Sequence, residues 1–259
     1  ANLFKIPVFV HESDSIPGMS NQKTAEFAKK IFTSFKDTKG FNPSRVTFTG
    51  NPIRKELLAG NVKEGQRLFN VTGQKPVLLI MGGSQGSEPI NNFILIILED
   101  LLRSFEVIHI AGPKNYQDVL LGWQVVLERN KELGNYYHLY QSLEEARLKH
   151  VYALADFVVS RAGAGTIFEI AALGKPSILI PLPSSASNHQ LENAYQYSTS
   201  GACLVVEQNN LTPNFFLAEL SRLFYHPETT KKMSQAALKF AKPEAAEIIA
   251  KEIIQFVNS

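Results

Sequence analysis

A strand, a glycine-rich turn, a helix and a second strand follow one another in the second half of the chain, and this unit predicts an α/β fold. Residues 156–159 are an apolar, β-rich run, residues 160–165 contain the glycines, and residues 166–173 have a helical pattern that stops at Gly174. Residues 177–181 are expected to form the next strand. Because the first N–H groups of such a helix lack intrahelical partners, its positive end faces whatever lies above the strand tips. The unit therefore predicts an anion site of the kind that binds phosphate.

Three polar side chains of this unit are placed where the neighbours of a bound anion would be. Arg161 follows the strand, Thr166 starts the helix, and Glu169 comes about one turn later. A carboxylate at that point can accept hydrogen bonds from two adjacent sugar hydroxyls, as the acidic residue of dinucleotide folds does with ribose. The alternative is that Glu169 only complements the helix dipole and that Arg161 pairs with it on the surface. From these residues alone, both interpretations stay open.

A second glycine turn, GGSQG, follows an apolar strand expected at 76–81. Its glycines, Gly83 among them, allow the backbone to approach a ligand, and Ser84 and Gln85 supply polar side chains. A helix follows at once and directs its N-terminus to the same place. The turn could be only a tight connection. The strand before it and the helix after it favour a phosphate role.

The composition narrows the class of protein. A chain of 259 residues with 44% hydrophobic content can bury a substantial core in one large or two modest domains. Lys+Arg 26 against Asp+Glu 24, without a basic run, gives no reason to expect a nucleic acid partner. A single cysteine excludes an internal disulfide and offers no metal cluster, so we expect no metal and no other cofactor. No apolar segment approaches the roughly 20 residues that span a bilayer, and with no visible signal peptide we expect a cytoplasmic protein.

The first residues predict an incomplete domain. Residues 7–10 form a β-branched run that leads directly into HESDSIPGMSN. Parallel βα folds normally open with a strand and a glycine-rich turn, and none precedes this run. We expect residues 1–58 to be the closing portion of an N-terminal domain, with a helix at 21–30 and strands at 31–35 and 46–49. The rest of that domain would belong to a missing N-terminal segment or to a partner chain.

Charged side chains of this first portion are further candidates. His11 and Glu12 come at the end of a strand, where open α/β sheets place ligand-facing groups. Taken alone, the pair favours a histidine with local hydrogen bonds and a solvated glutamate. Arg54 follows a turn on the expected hinge between domains, where its planar fork could bind donor phosphates or form a surface ion pair.

The rest of the chain continues the α/β pattern. We expect a linker at 59–73, a domain covering 59–242, and a terminal amphipathic helix that returns to the first domain within 243–259. No helix is predicted between residues 140 and 156. The remaining helices are expected at 64–69, 92–102, 116–133, 191–200, 212–225, 227–241 and 243–257, and the remaining strands at 106–111, 136–140 and 201–206.

Four separated motifs, in order, resemble those of the MurG family of bacterial glycosyltransferases. They are HESDSIPGMSN, TGNPIR, GGSQGSEPIN, and SRAGAGTIFEIAALGKPSILIP followed by NHQLENA. The resemblance runs from about Ile6 to the final helix. It implies the GT-B architecture, in which two Rossmann-like parallel-sheet domains face a cleft, with the first domain represented only by its C-terminal portion.

The resemblance also implies a reaction. The family transfers N-acetylglucosamine, with inversion, from UDP-N-acetylglucosamine to a lipid-linked N-acetylmuramyl-pentapeptide during peptidoglycan synthesis, as a peripheral protein on the inner face of the plasma membrane. Such enzymes stabilise the UDP leaving group with helix dipoles and N–H groups rather than with a metal. Two alternatives stay open. One is another GT-B UDP-sugar transferase, and the other is a donor-binding subunit that needs a partner chain for the acceptor half.

Residue roles follow from the matched motifs. His11 and Glu12 border the cleft and are the catalytic candidates, although the family's proposed base lies in a glycine-rich region that has no counterpart here. Asp14 stands where the family usually has asparagine, and its added charge would be unfavourable near a pyrophosphate. Leu143 falls where backbone groups read the uracil edge, and the amide of Gln190 suits the transferred hexose. The donor-binding candidates are Asn21, Arg54, Gly83, Ser84, Gln85, Asn91, Leu143, Arg161, Thr166, Glu169, His189 and Gln190.

Overall fold

Two parallel β-sheets form the framework of the protein in a computed structural model, which describes residues 6–183 and 188–258. The first sheet has the order β1-β2-β3 and the second the order β6-β5-β4-β7-β8-β9. All pairs of neighbouring strands are parallel. The strands are β1 (Phe9–Glu12), β2 (Lys30–Thr33), β3 (Val46–Phe48), β4 (Val77–Met81), β5 (Glu106–Ile110), β6 (Tyr137–Tyr140), β7 (Phe157–Ser160), β8 (Ser177–Leu179) and β9 (Cys203–Val205).

Helices connect these strands, as parallel pairing requires. The α-helices are α1 (Met19–Ala25), α2 (Val62–Phe69), α3 (Glu88–Ser104), α4 (Tyr116–Arg129), α5 (Glu145–Leu154), α6 (Ala164–Ala172), α7 (His189–Ser198), α8 (Pro213–Tyr225), α9 (Pro227–Phe240) and α10 (Ala245–Val257). None of the helices within the described ranges is long and apolar enough to cross a membrane.

The six-stranded sheet has helices on both faces. Strands β4, β5 and β7 are buried along their whole length, which explains their nearly continuous apolar sequences. One core lies on each face: Leu79 and Val158 belong to the core that includes residues of α5 and α6, and Leu78 and Val159 to the core that includes residues of α3 and α8. The sheet order reverses between β4 and β7, so the chain leaves these two strands in opposite directions and a crevice opens at their carboxyl ends.

The last helix contacts the first sheet. The ring of Phe256 on α10 packs edge-on against Phe9 of β1, with centroids 5.4 Å apart. Glu252 forms an ion pair with Lys30 of β2, and Glu244 accepts from the Lys55 Nζ at 2.9 Å. These contacts join the end of the chain to its beginning. The domain boundaries at residues 58 and 242 stay predictions.

The parallel α/β class is confirmed, but three helix predictions were wrong. The helix expected at 21–30 is α1, which ends at Ala25 because the Lys29 N–H already donates to the Val8 carbonyl at 2.8 Å and β2 begins at the next residue. The helix expected at 116–133 is α4, which ends at Arg129 and is followed by a 3₁₀-helix.

The third error is α5, which was not predicted at all. Its residues Leu148, Val151 and Tyr152 are buried at positions i, i+3 and i+4, which is the spacing of one helix face. The segment begins with charged residues, which weaken its apolar pattern. The apolar period was present in the sequence and would have identified the helix.

Candidate functional site

The crevice at the ends of β4 and β7 contains two adjoining cavities. The first has a volume of about 640 Å³ and lies between the two glycine turns. The second, of about 390 Å³, extends towards α5 and residues 141–143. Ser84 and Thr166 line both cavities, so the two form one continuous groove. The predicted site residues that line it are Arg54, Gly83, Ser84, Gln85, Leu143, Arg161, Thr166, Glu169 and Gln190.

The first glycine turn connects β4 to α3 and needs its glycines for different reasons. At Gly82 a Cβ would meet the Ser87 backbone N at 2.3 Å, and at Gly86 it would meet the Ala111 carbonyl O at 2.1 Å. Gly83 has φ +89° and no atom within 4 Å of the place where its Cβ would be. Gly82 and Gly86 are therefore tightly packed against the protein, whereas the backbone at Gly83 is open and faces the groove.

A buried hydrogen-bond chain supports this turn from below. The Asn91 side-chain amide on α3 donates to the Ala111 carbonyl at 2.9 Å, and its oxygen lies 3.0 Å from His109 Nε2. His109 Nδ1 lies 2.7 Å from the Tyr137 hydroxyl. Burial lowers the pKa of His109 to about 3, so the ring is neutral. Because the Asn91 side-chain oxygen can only accept, the proton of the ring is on Nε2 and Nδ1 accepts from Tyr137. Asn91 thus supports the loop without lining the groove. The sequence analysis did not single out His109, although a histidine within the strand sequence EVIHI is a visible signal.

Arg161, at the second glycine turn, joins the two turns. Its guanidinium donates to the Ile180 and Pro181 carbonyls at 3.1 Å each, and to Ser87 Oγ and Gln208 Oε1 at 2.7 Å each. The residue is only 5% exposed. Burial lowers the pKa of Arg161 to about 10, so it remains a cation at neutral pH. Within the described ranges it forms no ion pair with a carboxylate, and the alternative that it pairs with Glu169 was wrong.

Glu169 is instead paired with Arg54. The Arg54 Nε donates to Oε1 at 2.8 Å and its Nη2 to Oε2 at 3.0 Å, which is a bidentate pair. Glu169 is 9% exposed, while the Arg54 side chain is 45% exposed. The hydrogen bond to Glu169 raises the pKa of Arg54. Arg54 thus lies beside the carboxylate that was predicted to bind ribose, and its contact with phosphate stays a prediction.

The start of α6 presents free backbone donors to the groove. Gly163 at its N-cap is extended, and no side chain among the described residues caps it. A Cβ added at Gly163 or Gly165 would meet no atom within 4 Å. Thr166 follows in the first turn. The first N–H groups of α6 therefore face open space with the positive end of the helix dipole behind them, which suits an anion.

The catalytic candidates of the first sheet are occupied by local contacts. Glu12 is 2% exposed, and its carboxylate accepts from the Asp14 N–H at 3.0 Å, the Gly18 N–H at 3.0 Å and the Asn21 amide at 2.9 Å. The ring of His11 lies with Nε2 3.1 Å from a serine hydroxyl, and burial lowers the pKa of His11. Glu12 and Asn21 therefore organise the loop after β1, and the geometry does not favour the prediction that Glu12 acts as a base.

Replacing Glu12 by glutamine tests that structural role. An amide N–H₂ would be turned towards donors that now meet a carboxylate, so we expect the free energy of unfolding to fall by about 1–2 kcal/mol. Chemical denaturation followed by circular dichroism measures this loss. Glu26→Gln, at an exposed glutamate, is the matched control and should change little. Equal stability of the two variants would show that the Glu12 carboxylate is not needed by the loop.

The loop after β1 also contacts the second sheet's helix α7. The Asn193 carboxamide accepts from the Ser15 N–H at 2.8 Å and donates to Asp14 Oδ1 at 2.7 Å and to the Ala162 carbonyl at 3.3 Å. Asp14 Oδ2 lies 3.3 Å from His189 Nδ1. The Asp14 carboxylate, which stands where the family usually has asparagine, therefore lies between Asn193 and His189. Asn193 is fully buried and joins the two parts of the chain.

Gln190 and Leu143 lie at opposite ends of the groove. The Gln190 side-chain oxygen accepts from the Ala162 N–H at 3.3 Å and the Leu182 N–H at 3.1 Å, so it links the loops after β7 and β8. Leu143 lines the second cavity beside Ser142. Their roles towards a hexose and a base stay predictions. In the part of the chain that the structure describes, no three His, Cys, Asp or Glu side chains are grouped as metal ligands.

A parallel sheet that reverses its order between β4 and β7, with a glycine turn after each of these strands, defines a Rossmann-type α/β protein. Residues 77–249 match the model of the glycosyltransferase family 28 C-terminal domain, and the chain belongs to that family.

Relatives and solved structures agree with this assignment. The chain is 36% identical over 254 residues to the UDP-N-acetylglucosamine--N-acetylmuramyl-(pentapeptide) pyrophosphoryl-undecaprenol N-acetylglucosamine transferase of Clostridium tetani, covering 97% of this chain and 68% of the relative. The enzyme of the same name from Geobacillus kaustophilus is 38% identical over 234 residues, covering 90% and 62%. The crystal structure of Acinetobacter baumannii MurG superimposes with a TM-score of 0.74 at 24% identity, covering 98% and 69%, which supports the GT-B fold. The chain spans about two thirds of the length of these relatives.

Proposed function

We propose that the protein is a glycosyltransferase that moves N-acetylglucosamine from UDP-N-acetylglucosamine to a lipid-linked N-acetylmuramyl-pentapeptide, the reaction for which its relatives are named. The observation that carries this proposal is the groove in which two glycine turns, the start of α6 and Glu169 converge. The described chain supplies the donor side of the reaction. Because the acceptor is lipid-linked, the protein works on the inner face of the plasma membrane as a peripheral protein.

The groove is suited to a nucleoside diphosphate sugar. The diphosphate lies over Gly83 and Ser84 and in front of the α6 N-terminus, where backbone N–H groups are free. The ribose hydroxyls bind Glu169, and the uracil edge reaches the backbone near Leu143. The hexose extends towards Gln190 at the other end of the groove. In this arrangement the base and the ribose occupy the second cavity, and the hexose occupies the first.

Transfer of the sugar leaves negative charge on the departing diphosphate, and the site supplies positive potential at that place. Arg161 is a buried cation whose charge is not cancelled by a carboxylate among the described residues, and it donates to Ser87 at the end of the first glycine turn. The α6 dipole adds to this potential. Donors that are already fixed lower the energy of the developing charge without reorganisation during the reaction.

Isothermal titration of the chain tests the donor assignment. UDP should bind measurably, and uridine should bind at least about tenfold more weakly because it lacks the charge-assisted contacts of the diphosphate. ADP is the matched control for the base. Equal affinity for UDP and uridine would refute the phosphate cradle, and equal affinity for UDP and ADP would refute a uridine site.

The second part of the test compares sugars and acceptors. UDP-N-acetylglucosamine should bind more tightly than UDP-glucose, and transfer should be assayed with lipid-linked N-acetylmuramyl-pentapeptide. A preference for another UDP-sugar would favour a different GT-B transferase. UDP binding without transfer, with transfer restored by a partner chain, would identify a donor-binding subunit.

A further inference from the structure

A buried tyrosine lies under the predicted ribose carboxylate. Tyr152 is on α5, is 1% exposed, and lines the second cavity of the groove. Its hydroxyl lies 3.4 Å from Glu169 Oε2 and 3.9 Å from the Met81 sulfur. The hydroxyl therefore lies next to the carboxylate at the wall of the groove.

The hydroxyl has one strong acceptor within reach. Burial and the neighbouring Glu169 charge raise the pKa of Tyr152 well above 10, so the phenol keeps its proton and must donate it. A thioether is a weak acceptor, whereas a carboxylate oxygen is a strong one. Among the described partners, the hydroxyl is thus directed towards Glu169 Oε2.

Arg54 approaches the same carboxylate from a different part of the chain. It bonds both oxygens at 2.8 and 3.0 Å, and it comes from the segment before the second sheet, whereas Tyr152 comes from α5. With a donor on each of two elements, Glu169 cannot rotate without losing a hydrogen bond. The carboxylate is held in one orientation before any ligand binds.

We propose that Tyr152 is a positioning residue for ribose recognition, which fixes Glu169 so that its remaining acceptor site, on Oε1, meets a ribose hydroxyl. The inference rests on the proposed function, because it takes Glu169 as the ribose ligand. Preorganisation of this kind increases affinity by removing the cost of ordering the side chain at the moment of binding. The tyrosine itself does not touch the nucleotide.

The test compares Tyr152→Phe with the wild type, using UDP and 2′,3′-dideoxyuridine 5′-diphosphate. The wild type should prefer UDP, and the substitution should reduce that preference about threefold to tenfold, the range expected for one hydrogen bond. Affinity for the dideoxy nucleotide should stay within about twofold, because only the ribose hydroxyls depend on Glu169. Titration calorimetry measures both affinities.

Tyr197→Phe is the matched control. Tyr197 is also fully buried, and its hydroxyl has no hydrogen-bond partner within the described residues. Removing it should leave both affinities unchanged, which separates the loss of a buried hydroxyl from the loss of a contact to Glu169.

The outcomes separate the inference from the function on which it rests. No UDP binding by the wild type would refute the proposed function and the inference together. A UDP preference that persists unchanged in Tyr152→Phe would overturn the inference alone. So would a Tyr152→Phe protein that fails to fold while Tyr197→Phe folds, since the hydroxyl would then serve the fold rather than the ribose.

Discussion

Gly83→Val should lower the affinity for UDP by at least about 100-fold while the protein stays folded, a loss near 3 kcal/mol. Gly83 has φ +89°, a region that a β-branched residue adopts only with strain. Apart from its chain neighbours, no described residue has an atom within 4 Å of the added Cβ, so the valine would project into the groove instead of into the core. The side chain would occupy the space through which the diphosphate approaches the backbone.

The matched control is Gly201→Val. Gly201 has φ +79° and also has no atom within 4 Å of an added Cβ, but it lies in the turn between α7 and β9 and does not line the groove. Both substitutions therefore carry similar backbone strain, and only one changes the site. Calorimetric titration with UDP and thermal unfolding of both variants provide the measurement. If the two variants bound UDP equally well, the first glycine turn would not be a phosphate cradle.

The glycine turns could be predicted from the sequence because their signals are local. Each signal is a short continuous stretch of sequence: an apolar strand such as β4, then the glycines, then the start of the next helix. Backbone geometry restricts how such neighbouring segments can be arranged. The presence of Glu169 in the groove follows from the same unit, since α6 begins at its glycine turn. The parallel α/β class could be predicted for the same reason.

The partners of the charged residues could not be predicted in this way. Arg54 and Glu169 are 115 residues apart, and Arg161 and Ser87 are 74 apart. Which cation pairs with which carboxylate depends on how the two sheets and their connections pack. Local sequence patterns do not determine that packing. The contacts of Glu12 could not be predicted either. Its residue type and its position at a strand end predict a ligand group, whereas its actual partners are the N–H groups of the loop that it closes.

The distant contacts of Arg161 lead to a prediction about both stability and ligand binding. Its guanidinium uses four acceptors that belong to three separate parts of the chain: the first glycine turn, the loop after β8, and the segment after β9. Methionine has a similar length but donates no hydrogen bond, so Arg161→Met would leave these buried acceptors without their donor. Each buried group left unpaired costs about 1–3 kcal/mol, and neighbouring losses do not add fully.

We therefore expect Arg161→Met to lower the free energy of unfolding by about 3 kcal/mol. Because the substitution also removes a cation beneath the proposed phosphate cradle, it should weaken UDP binding more than uridine binding. Chemical denaturation and calorimetric titration measure the two effects separately. The control is Arg45→Met, since the Arg45 guanidinium also donates to two carbonyls, at 3.2 Å each, but belongs to an exposed residue away from the groove. A stability loss no larger than that of Arg45→Met would show that Arg161 does not hold the two turns together. An equal loss of affinity for UDP and for uridine would show that the charge of Arg161 does not act on the diphosphate.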